Sequence, residues 1–171
     1  MSKDVYAITS REGYEWALPV DDADFERFRA FDGTSASAEW RPVRVRILHE
    51  DEGSGPFATS DAPWMSSGLL VLRARALVAL EPLLSDAGEL LPLACDEVDL
   101  WAFNALCVAD ALDETRSEIV RFSSGRIMDV ERYAFDEAAL EETAAIFKLP
   151  ALPLGPLLCS RTFVNLSLIH I

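Results

Sequence analysis

Six carboxylates in the second half of the chain are the first residues whose types and spacing suggest a chemical role. They are Asp96, Glu97, Asp99, Asp110, Asp113 and Glu114. Positions 81–143 hold 16 acidic and 4 basic residues, a net charge of −12 in a chain whose total is −14. Opposite charge steers proteins together and raises association rates. The set is therefore a candidate surface for a basic protein partner, and the alternative is a group of solvated turn residues.

Two arginines form a second candidate site. Arg121 and Arg126 lie on either side of the turn Ser123-Ser124-Gly125 and would be brought together as a cross-strand pair if the flanking segments form a hairpin. Guanidinium groups bind phosphate and carboxylate through paired hydrogen bonds, so the arginines are candidates for contact with an anion. The alternative is ion pairing within the sheet with neighbouring acidic residues, which contributes little when exposed.

Residue patterns that carry catalysis are sparse in this sequence. His49 is the only histidine away from the C-terminus and is typical of a surface residue at the end of a strand. The three cysteines form no C-x-x-C pair, which indicates small buried side chains in a reducing compartment. Nucleophile elbows, phosphate-binding glycine loops and metal-binding H-E-x-x-H strings do not occur. We therefore predict no catalytic residues, no metal site and no cofactor, and we expect the chain not to be an enzyme.

Charge and hydropathy also disfavour several kinds of partner. A net charge of −14 opposes binding to nucleic acid and to an anionic membrane surface. The N-terminus lacks the charged and then apolar pattern of a secretory signal. The apolar stretch 68–84 is interrupted by charged residues and is too short to span a bilayer. The sequence therefore predicts a cytoplasmic protein.

Alternating and apolar segments predict several short strands. Residues 43–47 alternate apolar with basic side chains, which is the period of a half-buried strand. Segments 90–94 and 100–104 predict two strands joined by an acidic turn. Segments 118–122 and 126–135 both alternate around a glycine-containing turn, so they predict a hairpin.

Helical signals are fewer. Residues 73–84 place leucines on one stripe and predict a helix, which Pro82 would end or kink. Asp136 is a suitable N-cap for a short helix through about Thr143. Strands and helices that do not alternate regularly indicate an α+β fold, with a largely antiparallel sheet and a few short helices in a single globular unit.

Five strings of residues, taken in order, carry a resemblance to a known family. They are Gly88-Glu89-Leu90-Leu91-Pro92-Leu93, Leu100-Trp101-Ala102-Phe103-Asn104, Val108-Ala109-Asp110-Ala111-Leu112-Asp113, Arg116-Ser117-Glu118-Ile119-Val120-Arg121-Phe122-Ser123-Ser124-Gly125-Arg126-Ile127-Met128-Asp129 and Ile146-Phe147-Lys148-Leu149-Pro150. In this order and spacing the chain resembles immunity protein family eleven of bacterial polymorphic toxin systems, formerly a domain of unknown function. The resemblance covers roughly residues 64–163.

The resemblance implies a cytosolic protein that is encoded beside a secreted toxin and that binds and neutralises it. The implied partner is a cognate toxin domain, and a basic surface on that domain would complement the six carboxylates. Two alternatives stay open. One is a small-ligand-binding protein or enzyme that uses the arginine-flanked hairpin, and the other is a structural accessory of a secretion system.

The resemblance also suggests a division of the chain. Residues 1–63 form an N-terminal strand-and-helix part, and 64–164 form the region of resemblance. The family pattern continues with a helix, for which Ser160 is a suitable N-cap, and a last strand. Residues 165–171 instead resemble translated sequencing-adapter sequence, so we expect a C-terminally truncated protein with a non-native tail. The alternative is a native apolar strand.

Overall fold

The computed structural model of the protein describes residues 4–53, 55–141 and 143–170, with side chains described through Ser167. The strands are β1 (Val5–Ala7), β2 (Trp16–Pro19), β3 (Val45–Leu48), β4 (Glu50–Asp51), β5 (Gly55–Pro56), β6 (Leu70–Arg73), β7 (Gly88–Leu93), β8 (Leu100–Ala105), β9 (Glu118–Arg121), β10 (Ile127–Arg132), β11 (Ile146–Phe147) and β12 (Leu158–Ser160). The α-helices are α1 (Phe25–Arg29), α2 (Ala74–Leu84), α3 (Glu137–Glu141) and α4 (Arg161–His170). Every pairing between these strands is antiparallel, which confirms the predicted α+β class.

The central sheet has three strands in the order β6-β8-β7. Its register places Leu72 opposite Trp101 and Leu91 opposite Ala102. Because successive side chains of a strand point to opposite faces, each strand contributes to both sides of the sheet. Both sides are covered by other elements, which explains why these segments are apolar runs instead of alternating ones.

Two cores lie on the two faces of this sheet. The first, against the N-terminal part of the chain, includes Phe31, Val45, Ile47, Val71, Leu91 and Ala102. The second, under α2 and α4, includes Leu72, Leu80, Phe103 and Phe163. Burial of one such side chain contributes roughly 1.5–3 kcal/mol relative to exposure. Because both of its faces are packed against a core, the central sheet holds the turns at its two ends in fixed positions.

Both ends of the chain meet in a second sheet, ordered β1-β12-β11. Tyr6 of β1 lies opposite Cys159 of β12, and the Arg161 guanidinium forms an ion pair with Asp4. The Ser160 hydroxyl accepts a hydrogen bond from the Phe163 N–H at 3.4 Å, as expected of a helix N-cap. The N-terminal part and the region of resemblance therefore belong to one globular unit.

The structure differs from the sequence expectations at two helices. Helix α2 does not end at Pro82 but continues to Leu84, and the Ser85 N–H bonds to the Glu81 carbonyl at 2.9 Å. Proline lacks the N–H donor and its ring crowds the carbonyl four residues earlier, so the packing of the buried residues Leu80 and Leu84 must offset this cost. Helix α4 includes residues 165–170, where the sequence left open a C-terminal strand.

The predicted hairpin is present as β9 and β10, and Gly125 in its turn has φ +84°, a conformation that favours glycine. In the part of the chain that the structure describes, no helix has the length and apolar character needed to cross a membrane.

Candidate functional site

The turn that joins β7 to β8 carries the first half of the predicted acidic set. We call this the acidic turn, formed by Asp96, Glu97 and Asp99. Each is exposed, and the side chain of Asp96 is 92% exposed. Because β7 pairs with β8 over its whole length and β8 is almost entirely buried, the turn is presented by a packed hairpin. The three carboxylates are therefore available to a partner without rearrangement of the fold.

The other predicted carboxylates, Asp110, Asp113 and Glu114, lie beyond the opposite end of β8. The six-residue strand β8, about 17 Å long at about 3.3 Å per residue, lies between the two groups in the chain. The six residues therefore belong to two segments, one before β8 and one after it.

Asp113 is engaged in the turn that follows β8. Its carboxylate accepts hydrogen bonds from the Thr115 hydroxyl at 2.7 Å and from the Arg116 Nε at 2.6 Å, together with the backbone N–H groups of both residues. The bond from Thr115 and then that from Arg116 hold the pKa of Asp113 well below its ordinary value. Its carboxylate is a turn cap with few lone pairs left for a partner.

The hairpin arginines are mostly held by neighbouring acids. Arg121 bonds Glu114 at 2.5 Å, and Arg132 bonds Glu118 across the hairpin at 2.7 Å. The register places Arg121 opposite Ile127, so the suggested cross-strand pair of Arg121 with Arg126 does not form. Arg121 and Arg132 therefore follow the alternative drawn from the sequence, in which the arginines form ion pairs with neighbouring acidic residues.

Arg126 differs from these, because it forms no ion pair with any described residue. Its guanidinium lies over the Phe122 ring, 5.7 Å from the centroid, in a cation–π contact. Both residues line a groove of about 920 Å³ between the hairpin and the proline-rich segment 150–156. Exposed Met128 and Leu154 also line it. The groove combines an unpaired cation with apolar walls.

Sequence reasoning missed a charged network that lies behind the acidic turn. Glu15, only 3% exposed, accepts hydrogen bonds from Arg73 Nη2 at 2.7 Å and from the Ser60 N–H at 3.0 Å. His49 bridges outward from it, with Nδ1 3.3 Å from Glu15 and Nε2 2.6 Å from Glu97. The acidic turn is therefore tied to the interior through His49. No local signal marked Glu15, since its partners come from three distant segments.

The hydrogen bond to Glu97 raises the pKa of His49, and desolvation opposes this only in part. A histidine whose pKa is higher in the folded state contributes stability below the unfolded pKa of about 6.5. That contribution is lost as the pH rises through the folded-state pKa.

We expect the wild type to exceed the His49→Gln variant in stability by more at pH 6 than at pH 9, measured by urea unfolding. His170 is present in both proteins, so its contribution to the pH dependence of stability cancels in the comparison. An unchanged difference between the two pH values would contradict this role of His49.

Asn104 and Glu89 both lie in the strings of residues that carry the family resemblance, and their side chains are hydrogen-bonded to each other. We call this pair the clamp. The Asn104 side chain is fully buried, and its Nδ2 donates to Glu89 Oε1 and to the Thr34 carbonyl, both at 2.9 Å. Glu89 also accepts from the Ala36 N–H at 2.6 Å and from the Ser35 hydroxyl at 2.8 Å. Burial raises the pKa of Glu89, but these hydrogen bonds outweigh it and hold the pKa below its ordinary value. The clamp fastens the loop after α1 to β7 and β8.

The cysteines Cys95, Cys107 and Cys159 are free thiols, and burial raises the pKa of Cys159 to about 11, so it stays protonated at neutral pH. No group of three or more metal-binding side chains occurs in residues 4–53, 55–141 and 143–170.

Comparison with known proteins identifies no relative. No family model matches this chain, and a search of curated proteins finds no match. The acidic turn, the hairpin groove and the charged network are therefore interpreted from their own geometry.

Proposed function

We propose that the chain is an immunity protein that binds a cognate secreted toxin domain and neutralises it by occupying its active site or a nearby surface. The acidic turn is the proposed contact. The observation that supports this proposal is the exposure of three carboxylates on the turn of a packed hairpin, within a segment whose net charge is −12. The ordered resemblance drawn from the sequence, over roughly residues 64–163, is the second motivation for the proposal.

Electrostatics would supply speed and orientation in this interaction. A basic toxin surface would be drawn to the acidic turn before contact, and carboxylates would then face cationic groups that normally meet an anionic substrate. Asp96 pairs with Arg44 only at 3.5 Å, and Asp99 forms no ion pair with any described residue. These two carboxylates can therefore change partners at little cost, since exposed pairs contribute about 0–1 kcal/mol.

The basic test is a survival assay. The C-terminal domain of the toxin encoded beside this chain is expressed in bacteria with and without the protein. We expect growth to be restored when the protein is present. Death in both cases, with both proteins soluble and expressed, would remove that toxin as the partner and count against the proposal.

The acidic turn is tested by a triple variant, Asp96→Asn with Glu97→Gln and Asp99→Asn. At low salt we expect its association rate with the toxin domain to fall about tenfold and its salt dependence to flatten, measured by stopped-flow or surface-based kinetics. A matched control neutralises three other exposed carboxylates, Asp86, Glu137 and Glu141. The two variants have the same net charge, so their comparison separates position from total charge.

We expect the control variant to associate within twofold of the wild type. Equal slowing of both variants would show that net charge alone steers binding, and no slowing in either would contradict the acidic-turn mechanism. Because Glu97 also bonds His49, a double variant that keeps Glu97 and changes Asp96 and Asp99 guards against a loss of stability.

Ligand binding in the hairpin groove is a second candidate function. The unpaired guanidinium of Arg126 beside apolar walls favours it, since that arrangement suits an anionic ligand with an apolar portion. A thermal-shift screen with nucleotides and sugar phosphates separates this function from the first, because a ligand of the native state raises its melting temperature. Loss of such a shift in the Arg126→Gln variant would locate the ligand.

A further inference from the structure

Lys148, which follows β11, is a buried cation without a counter-ion. Its side chain is 3% exposed, and its ammonium donates a hydrogen bond to the Phe31 carbonyl. It forms no ion pair with any described carboxylate. The charge of Asp32 acts on it electrostatically, but the carboxylate of Asp32 accepts its hydrogen bonds from Thr34. An ammonium has three donors, and among the described residues Lys148 uses one of them, toward the Phe31 carbonyl.

This arrangement is costly for the fold. Lysine is almost never fully buried unless it is paired, because removing its charge from water is unfavourable. Burial accordingly lowers the pKa of Lys148, and the charge of Asp32 opposes this only in part. An anion placed beside the ammonium would offset the cost of desolvation.

A cavity of about 500 Å³ provides room for such an anion. Lys148 lines it, and so does Gly68, where an added Cβ would lie 3.1 Å from the Gly155 carbonyl oxygen and 3.9 Å from the lysine Nζ. Gly68 therefore lies beside the ammonium, and a side chain at this position would crowd it. The volume lies within the range of 300–1,000 Å³ that is common for small-molecule sites, and it exceeds what a bare inorganic ion fills.

The walls of the cavity determine the class of ligand. Phe25, Phe28 and Leu154 make much of the lining apolar. Exposed Arg29 also lines the cavity, but its guanidinium is already paired with Glu26 at 2.8 Å. Of the two cationic residues that line the cavity, Lys148 is thus the one that has no carboxylate partner among the described residues. The acids Asp22 and Glu26, both exposed and lining the cavity, would repel a multiply charged ligand more strongly than a singly charged one.

We propose that this cavity binds a small monocarboxylate with an apolar body. The carboxylate would pair with the Lys148 ammonium, and the apolar body would lie against Phe25, Phe28 and Leu154. The site is separate from the acidic turn, so the proposal stands or falls independently of toxin binding.

The test uses hexanoate, benzoate and inorganic phosphate as probes, with binding measured by titration calorimetry on the full chain. We expect saturable binding of a carboxylate, at least tenfold weaker binding of phosphate, and at least tenfold weaker carboxylate binding by the Lys148→Met variant. Methionine keeps the length of the side chain, and apolar replacement of a buried charge is often tolerated. Arg75→Gln is the matched control, since it removes an exposed and paired cation that does not line the cavity, and we expect the affinity of this variant to stay within twofold of the wild type.

A second measurement requires no variant. Hexanoate should slow the acetylation of Lys148 by an activated ester, mapped by mass spectrometry, and should leave the rate at Lys3, the other lysine of the sequence, unchanged. The proposal is overturned if the wild type binds no carboxylate at tens of millimolar, if phosphate binds as tightly as hexanoate, or if Lys148→Met binds as the wild type does. If that variant does not fold, Lys148→Gln, which keeps a donor for the Phe31 carbonyl, replaces it.

Discussion

Replacement of Glu15 by glutamine is expected to lower the free energy of unfolding by about 3 kcal/mol, since removal of one partner of a buried ion pair leaves the other charge uncompensated. Glu15 is 3% exposed and bonds Arg73, whose side chain is 19% exposed. The Nε of Arg73 has no hydrogen-bond partner, so Glu15 supplies the only ion pair of that guanidinium among the described residues. Urea unfolding followed by circular dichroism measures the change.

Glu12→Gln is the matched control for this prediction. It makes the same chemical change three residues earlier, at an exposed position, and should alter stability by less than about 0.5 kcal/mol. Combining Glu15→Leu with Arg73→Met removes both charges and should recover part of the loss, because an apolar pair is often no less stable than a buried ion pair. A Glu15→Gln variant as stable as Glu12→Gln would show that water, not Arg73, satisfies the carboxylate.

Glu15 also links stability to the proposed function. His49 contacts Glu15 on one side and Glu97 on the other, so the interior carboxylate helps to position the acidic turn. Loss of Glu15 should therefore slow toxin association even under conditions in which the variant is fully folded. This connection makes the acidic turn a preorganised surface, since its geometry is set before a partner arrives.

The hairpins of this fold were predictable from local sequence. Alternation in 118–122 and 126–135, together with a glycine between them, is sufficient to specify β9 and β10 because hairpin pairing involves neighbours in the chain. The strands at 90–94 and 100–104 were recognised for the same reason. The strand predicted over 90–94 begins two residues earlier, at Gly88, since pairing of Gly88 with Ala105 extends the hairpin past the apolar run.

The functional surfaces were less predictable, because they depend on contacts between distant segments. The sequence grouped Asp96 with Asp110, but they lie in two segments of the chain that are separated by β8. The partners of Glu15 and Lys148 lie 58 and 117 residues away, at Arg73 and Phe31. Local periodicity contains no information on such pairings, so neither buried charge could be recognised before the fold was known.

The second large effect is expected at Gly88, the first residue of β7. An added Cβ would lie 2.2 Å from the Asn104 carbonyl oxygen and 2.7 Å from the Phe103 Cζ. The Phe103 ring occupies the space where a side chain would stand, and the carbonyl belongs to the buried strand β8 and has no room to move. We expect Gly88→Ala to lower the free energy of unfolding by about 3 kcal/mol, at the upper end of overpacking costs, as measured by urea unfolding.

Two further variants identify the cause of that loss. At Gly125, in the hairpin turn, an added Cβ would meet no atom within 4 Å, but the backbone has φ +84°. Gly125→Ala should therefore lower the free energy of unfolding by only roughly 1–2 kcal/mol, the cost of a left-handed backbone conformation. Adding Phe103→Leu to Gly88→Ala removes the aromatic ring from the contact and leaves the Asn104 carbonyl in place. Because the closest contact is with the backbone, we expect no rescue by this second change. Recovery of stability in the double variant would instead show that the ring alone excludes a side chain at this position.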